Sequence, residues 1–220
     1  MKLLLTSAGI KNASIRQALE EMLGQPIDES SALCIPTGTY VSPGGAASAW
    51  RFIAGRASTP MCELGWKSLG VLELAALPSI GRDVWLPMVQ ETDAILVNGG
   101  DPMYLSYWMK ESGFADALAT QYDGVYVGLS AGSMVLAPQV GEDFVRWRPP
   151  EGGDTTLGLI DFSIFPHLDH VDMPTNAMAD AEQWAATLSG PAYALDDESA
   201  IRTVDGALDV ISEGHWRFFP

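Results

Sequence analysis

Along the chain, short apolar runs of β character alternate with segments whose apolar residues recur at helical spacing. Leu3 to Thr6 reads as a first strand, and the following NASIRQALEEMLG carries Ile15, Ala18, Leu19, Met22 and Leu23 on one helical face. Ser14 with Gln17 makes a capping-box pattern there, and Gly24 followed by Pro26 is a stop signal. Leu33 to Pro36 reads as a second strand, AASAWRFIAG as a helix, Gly70 to Leu77 as a third strand, and DVWLPMVQE as a short helix interrupted by Pro87. AILVNGG is an apolar strand running into Gly99-Gly100, and a helix starts directly after it, because Asp101 can cap and Pro102 can occupy the first helical position. Val125 to Leu129 is a buried strand leading into a helix over Ala131 to Leu136. Leu159 to Phe165 and PAYAL are further strands, and AIRTVDGALDVIS predicts a hairpin turning at Asp205-Gly206. Alternation of this kind, without repeats or a break in composition, predicts one α/β domain over residues 1–220, with a mainly parallel sheet edged by an antiparallel pair.

Composition narrows the partners. The 220 residues are 47% apolar, enough for an ample core, and carry 28 acids against 12 bases, a formal net charge of -16. Such a charge repels phosphate backbones and anionic membranes, so neither nucleic acid nor a membrane surface is expected as a partner. Cys34 and Cys62 lack CxxC spacing, which suggests neither a disulfide framework nor a thiolate zinc site. The single Lys and three leucines of MKLLLTSAGIK are too short for a signal-peptide apolar region, and no segment approaches the roughly 18 apolar residues of a membrane span. A cytoplasmic protein, monomeric or homodimeric, is expected.

The chemistry gathers at VYVGLSAGSMVLAP. Here a serine stands between two glycines, at the junction of a buried strand and a helix. Gly128 and Gly132 remove the Cβ atoms that would collide if the backbone turned sharply enough to lift Ser130 above the sheet, the pattern of a nucleophile elbow. The Ala131 N–H then lies at a helix N-terminus, where unsatisfied donors favour a developing oxyanion. Gly100, ending the preceding strand, can offer a second backbone N–H to the same spot.

A serine nucleophile needs a base, and the chain has three histidines: His167, His170 and His215. The strand ending at Pro166 delivers His167 to the rim where chemistry collects in open α/β sheets. His170 is expected to face solvent or support the loop, and His215 to lie on the surface. An orienting carboxylate should hold the imidazole. Asp196, Asp197 or Glu198 after PAYAL could supply it, as could Glu142 or Asp143 in VGEDFVRW.

Together, GLSAGS after a buried strand, the glycine pair ending the strand before it, and FPHLDH about forty residues later resemble the dipeptidase E and cyanophycinase family of serine peptidases. The resemblance implies a class I glutamine-amidotransferase-like fold, a flavodoxin-like three-layer sandwich. It implies Ser130 as nucleophile, His167 as base, and the Gly100 and Ala131 amides as oxyanion donors. The family's acid falls on LDDESA, which favours Asp197, with Glu198 next and Glu142 or Asp143 behind. Neither a metal nor an organic cofactor is implied. Dipeptidase E acts on substrates with an N-terminal aspartate, which call for a cation; none follows His167 closely, and Arg146 and Arg148 could serve, with Asp101 another candidate for substrate contact.

Four other readings compete. A glutaminase of the same fold would need cysteine at the elbow. An α/β-hydrolase esterase would pair Ser130 with Asp196 or Asp197 and then His215. A zinc site would use His167, Asp169, His170 and Asp172, and a binding protein would have kept the fold without turnover.

Overall fold

The computed structural model describes residues 1–42 and 44–220. The first strand, β1 (Lys2–Thr6), leads into helix α1 (Ala13–Leu23). Its cap is Asn12, whose side chain accepts from the Ile15 N–H, and not the expected Ser14–Gln17 box. Ser14 is drawn elsewhere, since its N–H and hydroxyl both donate to Glu213 at 2.9 and 2.8 Å. Gly24, at φ 73°, closes the helix by donating its N–H to Glu20 O, as the stop signal requires.

After β2 (Ser31–Ile35) come a 3-10 helix (Thr37–Thr39) and α2 (Gly45–Ile53). The third strand differs from its expected extent: β3 spans only Ser68–Val71, and a 3-10 helix covers Leu74–Ser79. Glu73 causes the change of course, its carboxylate accepting from the Ala75 N–H at the helix start. The helix α3 (Arg82–Gln90) runs through Pro87. Next come β4 (Ala94–Val97), α4 (Pro102–Glu111), α5 (Phe114–Gln121), β5 (Val125–Leu129) and α6 (Ala131–Met134). Toward the C-terminus follow β6 (Ser163–Phe165), α7 (Met178–Ala185), β7 (Ala192–Leu195), β8 (Ser199–Val204), β9 (Ala207–Ser212) and β10 (Trp216–Phe219). Helix α6 is shorter than the run to Leu136, and β6 is less than half of Leu159 to Phe165. The missing strand residues are used by the loop after α6, where Gly158 and Leu159 donate their N–H groups to Ala137 O and Leu136 O at 2.8 Å.

The central sheet runs β3-β2-β4-β5-β1-β8-β9, the first five strands parallel and the last two antiparallel. Period-two alternation divides its residues between two cores. Leu3, Leu5, Ile35, Ile95, Val97 and Tyr126 pack with residues of α3 to α6 on one face. Leu4, Cys34, Leu96, Val125 and Val127 pack with α1 and Phe52 of α2 on the other. The β8–β9 hairpin turns at Asp205 and Gly206 with φ of 50° and 86°, both positive as the tight turn demands.

The end of the strand expected over Leu159 to Phe165 and the strand expected from PAYAL form, but in a separate three-stranded sheet, β10-β7-β6, with β6 and β7 parallel. Phe165, Trp184 and Ala194 anchor a third apolar cluster beneath it. Trp184 is 1% exposed, and its indole donates to Val140 O at 2.7 Å. Replacing Trp184 by Ala should therefore cost about 3–5 kcal/mol of stability, to be read from urea midpoints.

Candidate active site

Chains leaving adjacent strands β2 and β4 depart in opposite directions across the sheet, β2 toward β3 and β4 toward β5, which opens a crevice at their carboxyl ends. A cavity of about 410 Å³ lies there, and its lining includes Thr39, Asn98, Gly99, Gly100, Ser130 and His167.

Ser130 sits at φ 50° and ψ -112°, a conformation that costs a non-glycine residue strain and that its surroundings must impose. They do so with hydrogen bonds. The Ser130 N–H donates to Thr6 O at 3.0 Å, and the Ser130 carbonyl accepts from the Ser133 and Met134 N–H groups at 2.8 and 2.9 Å. The glycines on either side are needed for contact. A Cβ on Gly128 would come within 2.6 Å of Gly132 O, and one on Gly132 would run into Val97 O.

Gly100 has a φ of 124°, and any side chain there would overlap the Gly38 carbonyl. The Thr39 hydroxyl donates to Gly99 O at 3.2 Å while accepting from the Asn98 side-chain amide at 2.8 Å. Because C=O and N–H point opposite ways across a trans peptide, this directs the Gly100 N–H away from Thr39. Among the described residues, neither the Gly100 nor the Ala131 N–H has an acceptor within the chain.

His167 follows β6 at φ 58°, with its N–H donating to the Ser7 hydroxyl at 2.7 Å. Its Nδ1 lies 2.7 Å from Asp197 Oδ1. No hydrogen bond joins Ser130 Oγ to a His167 ring nitrogen among the described residues, although both line the same cavity. Partial burial works to raise the Asp197 pKa, but the hydrogen bond from His167 and the charges of His167, His170 and Lys11 outweigh it, leaving the carboxyl below its usual range.

The other expected acids have different partners. Glu198 accepts from the Asn12 side chain at 3.0 Å, and Glu142 pairs on the exposed surface with Arg148 at 3.6 Å. Asp143 lines a neighbouring cleft together with Phe144, Arg146 and Asp180. Asp196 is buried and accepts from the Ser199 hydroxyl and, at 2.7 Å, from the His215 N–H. The His215 ring spans Asp196 and Asp169, at 3.0 and 2.9 Å, and is absent from the cavity lining. Among the described residues no three His, Cys, Asp or Glu side chains converge in a way that could hold a metal ion. Cys34 and Cys62 are buried free thiols.

Of the residues expected near substrate, Arg146 lines the cavity and Arg148 does not. Asp101 corrects its expectation. It is 3% exposed, and its two oxygens accept from the Tyr104 and Trp147 N–H groups, each at 2.8 Å. The residue is thus a cap for α4 and a tether for the loop that carries Arg146. Sequence reasoning missed Thr6, Ser7 and Thr39, which position the site through backbone and hydroxyl contacts; the one available signal was a polar Thr-Ser pair closing an otherwise apolar strand.

Solved structures share this fold. A crystal structure of a Listeria monocytogenes EGD-e protein provisionally described as peptidase E superposes with a TM-score of 0.65, at 19% identity over 97% of this chain and 98% of that one. A peptidase from an acI-B1 Actinobacterium gives 0.65 at 18% identity, over 98% and 88%. No curated protein matches the sequence. The model of peptidase family S51 matches residues 3–211, and the chain belongs to that family, which makes it a serine peptidase. Among the described residues no helix is long and apolar enough to cross a membrane.

The depressed Asp197 carboxyl gives a pH test. A group whose pKa falls on folding contributes stability above its unfolded value, about 3.9, and loses it as pH drops through the folded value. Asp197→Asn should cost on the order of 1 kcal/mol at pH 7, and urea melts at pH 3 should show a smaller difference from wild type.

Proposed function

We propose that the chain hydrolyses short peptides at their amino-terminal residue through an acyl-enzyme on Ser130, with His167 as base, Asp197 as its orienting acid, and the Gly100 and Ala131 N–H groups as oxyanion donors. The observation that carries this reading is the 2.7 Å contact between His167 Nδ1 and Asp197 Oδ1 at the mouth of a cavity lined by the strained Ser130.

Asp197 accepts from Nδ1–H and so leaves Nε2 unprotonated, free to take the Ser130 proton. Ser130 Oγ attacks the scissile carbonyl carbon, and the charge on oxygen is met by two N–H groups that have no acceptor of their own. His167 returns the proton to the leaving amine as the C–N bond breaks. A water then loses its proton to His167 and adds to the ester carbon, and as the C–O bond breaks His167 gives that proton to Ser130 Oγ, freeing the acid and restoring the serine. Turnover should fall by at least a thousandfold in Ser130→Ala and in His167→Ala, and a fluorophosphonate probe should label wild type but not Ser130→Ala. Labelled protein that cleaves no peptide would favour an esterase, and unlabelled protein a binding role.

For the amino-terminal residue we propose an acidic side chain, aspartate foremost. The support is electrostatic: in a chain of net charge -16, the described cavity lining has one cation, Arg146, and no carboxylate. Arg148 is spent on Glu142. Asp-Leu should therefore exceed Asn-Leu and Ala-Leu in kcat/KM by about tenfold or more, and Arg146→Ala should remove that advantage while Arg148→Ala keeps it. Equal rates on all three dipeptides in wild type would end the aspartate reading and leave the serine mechanism standing.

A further inference from the structure

His170 belongs to the same turn as His167. Its N–H donates to His167 O at 3.2 Å, Met173 N–H closes onto His170 O at 2.9 Å, and the two imidazoles meet edge to face with centroids 6.1 Å apart. The ring is oriented from outside. Its Nδ1 accepts from the Asp172 N–H at 3.1 Å, so the imidazole proton belongs on Nε2. That Nε2–H faces Asp197 Oδ2 at 3.6 Å, longer than a hydrogen bond, so the contact is an electrostatic one between an N–H dipole and the carboxylate. Asp197 Oδ2 accepts no hydrogen bond among the described residues, and its other oxygen is held by His167.

We propose that His170 is a positioning residue whose Nε2–H, aimed at the second oxygen of Asp197 from 3.6 Å, biases the carboxylate plane to stay in line with His167 Nδ1. The proposal rests on the reading of Asp197 and His167 as acid and base. A carboxylate held at one oxygen swings readily, because its terminal torsion has a broad minimum. A donor facing the other oxygen fixes the plane, and with it the direction in which the His167 ring presents Nε2 to the cavity. Both imidazoles are set by one short turn, so the two groups that face Asp197 keep a fixed relation to each other. Supporting partners of this kind tune the basicity and orientation of the imidazole they do not touch.

The test compares His170→Ala and His170→Gln with wild type, reading the rate of fluorophosphonate labelling at Ser130 and, for Asp-Leu, kcat and KM separately. Gln keeps an N–H donor near the position of Nε2. We expect Ala to slow labelling and lower kcat about tenfold with KM unchanged, and Gln to recover rates to within about threefold of wild type. Two outcomes overturn the proposal: Ala at the wild-type rate, or Gln as slow as Ala, which would trace the loss to the turn and not to the donor. A wild type that the probe does not label would instead overturn the nucleophile reading beneath it, so the two failures are told apart by the first measurement.

Discussion

The site depends on how the end of the first strand is tied down. Thr6 is fully buried, and its carbonyl accepts from both the Ser130 N–H and the Ser133 hydroxyl, while its own hydroxyl donates to Gly128 O and accepts from the Gly9 N–H. The next residue, Ser7, is equally buried; its hydroxyl accepts from the His167 N–H and its N–H reaches Ser199 O at 3.3 Å. Two consecutive residues therefore grip the elbow, the turn that carries the imidazole, and the start of the strand that follows Asp197. Buried polar groups are costly unless paired, so this end of β1 cannot drift without breaking contacts to all three.

Strain at the elbow is affordable in that setting. Ser130 adopts a backbone conformation worth roughly 1–3 kcal/mol against it, and the bonds to Thr6 and from Ser133 and Met134 offset it. The Tyr126 hydroxyl, deep in the core, adds a donor to the Gly132 carbonyl. The same crowding explains why Gly128, Gly132 and Gly100 are glycines. Each faces a backbone carbonyl across a gap too small for a methyl group, so the constraint is contact at all three and φ only at Gly100.

What could be read from the chain was whatever local signals decide. Asp101-Pro102 opening α4, the Asp205-Gly206 turn, and the apolar run into GLSAGS each combine a strand or helix period with a residue that fits one backbone shape, and the structure places all three as the pattern implies. What failed was decided at long range. Ser14 lost its capping role because Glu213, 199 residues away, takes its N–H and hydroxyl. Leu159 and Ile160 read as the start of a strand, yet their N–H groups go to Leu136 O in the loop after α6. No periodicity distinguishes a strand of the main sheet from one of a second sheet, so PAYAL and the end of the Leu159 to Phe165 run were found as strands without their place in the fold, and their sheet-mate β10 was not. Thr6 and Ser7 look like the polar end of any strand, and only the approach of β5 and β6 gives them their work.

The run Asp196-Asp197-Glu198 shows how three adjacent carboxylates come to differ. The sequence makes them near equals. In the fold, Asp196 is turned inward and accepts from Ser199 and His215, which staples the end of β7 to the start of β10. Glu198 is drawn toward α1 by Asn12, which also caps that helix. Asp197 remains, and since β6 and β7 are parallel neighbours, the residues just past their ends are neighbours too. In that register Phe165 stands opposite Ala194, which carries His167 level with Asp196, one residue short of Asp197. The register of the small sheet thus brings the imidazole to this run of acids, and the engagement of Asp196 by Ser199 and His215 leaves the next residue, Asp197, to meet Nδ1. Burying one neighbour and engaging the other leaves a single carboxylate, mostly buried, whose pKa is held below its usual range against that burial by the two imidazoles and Lys11.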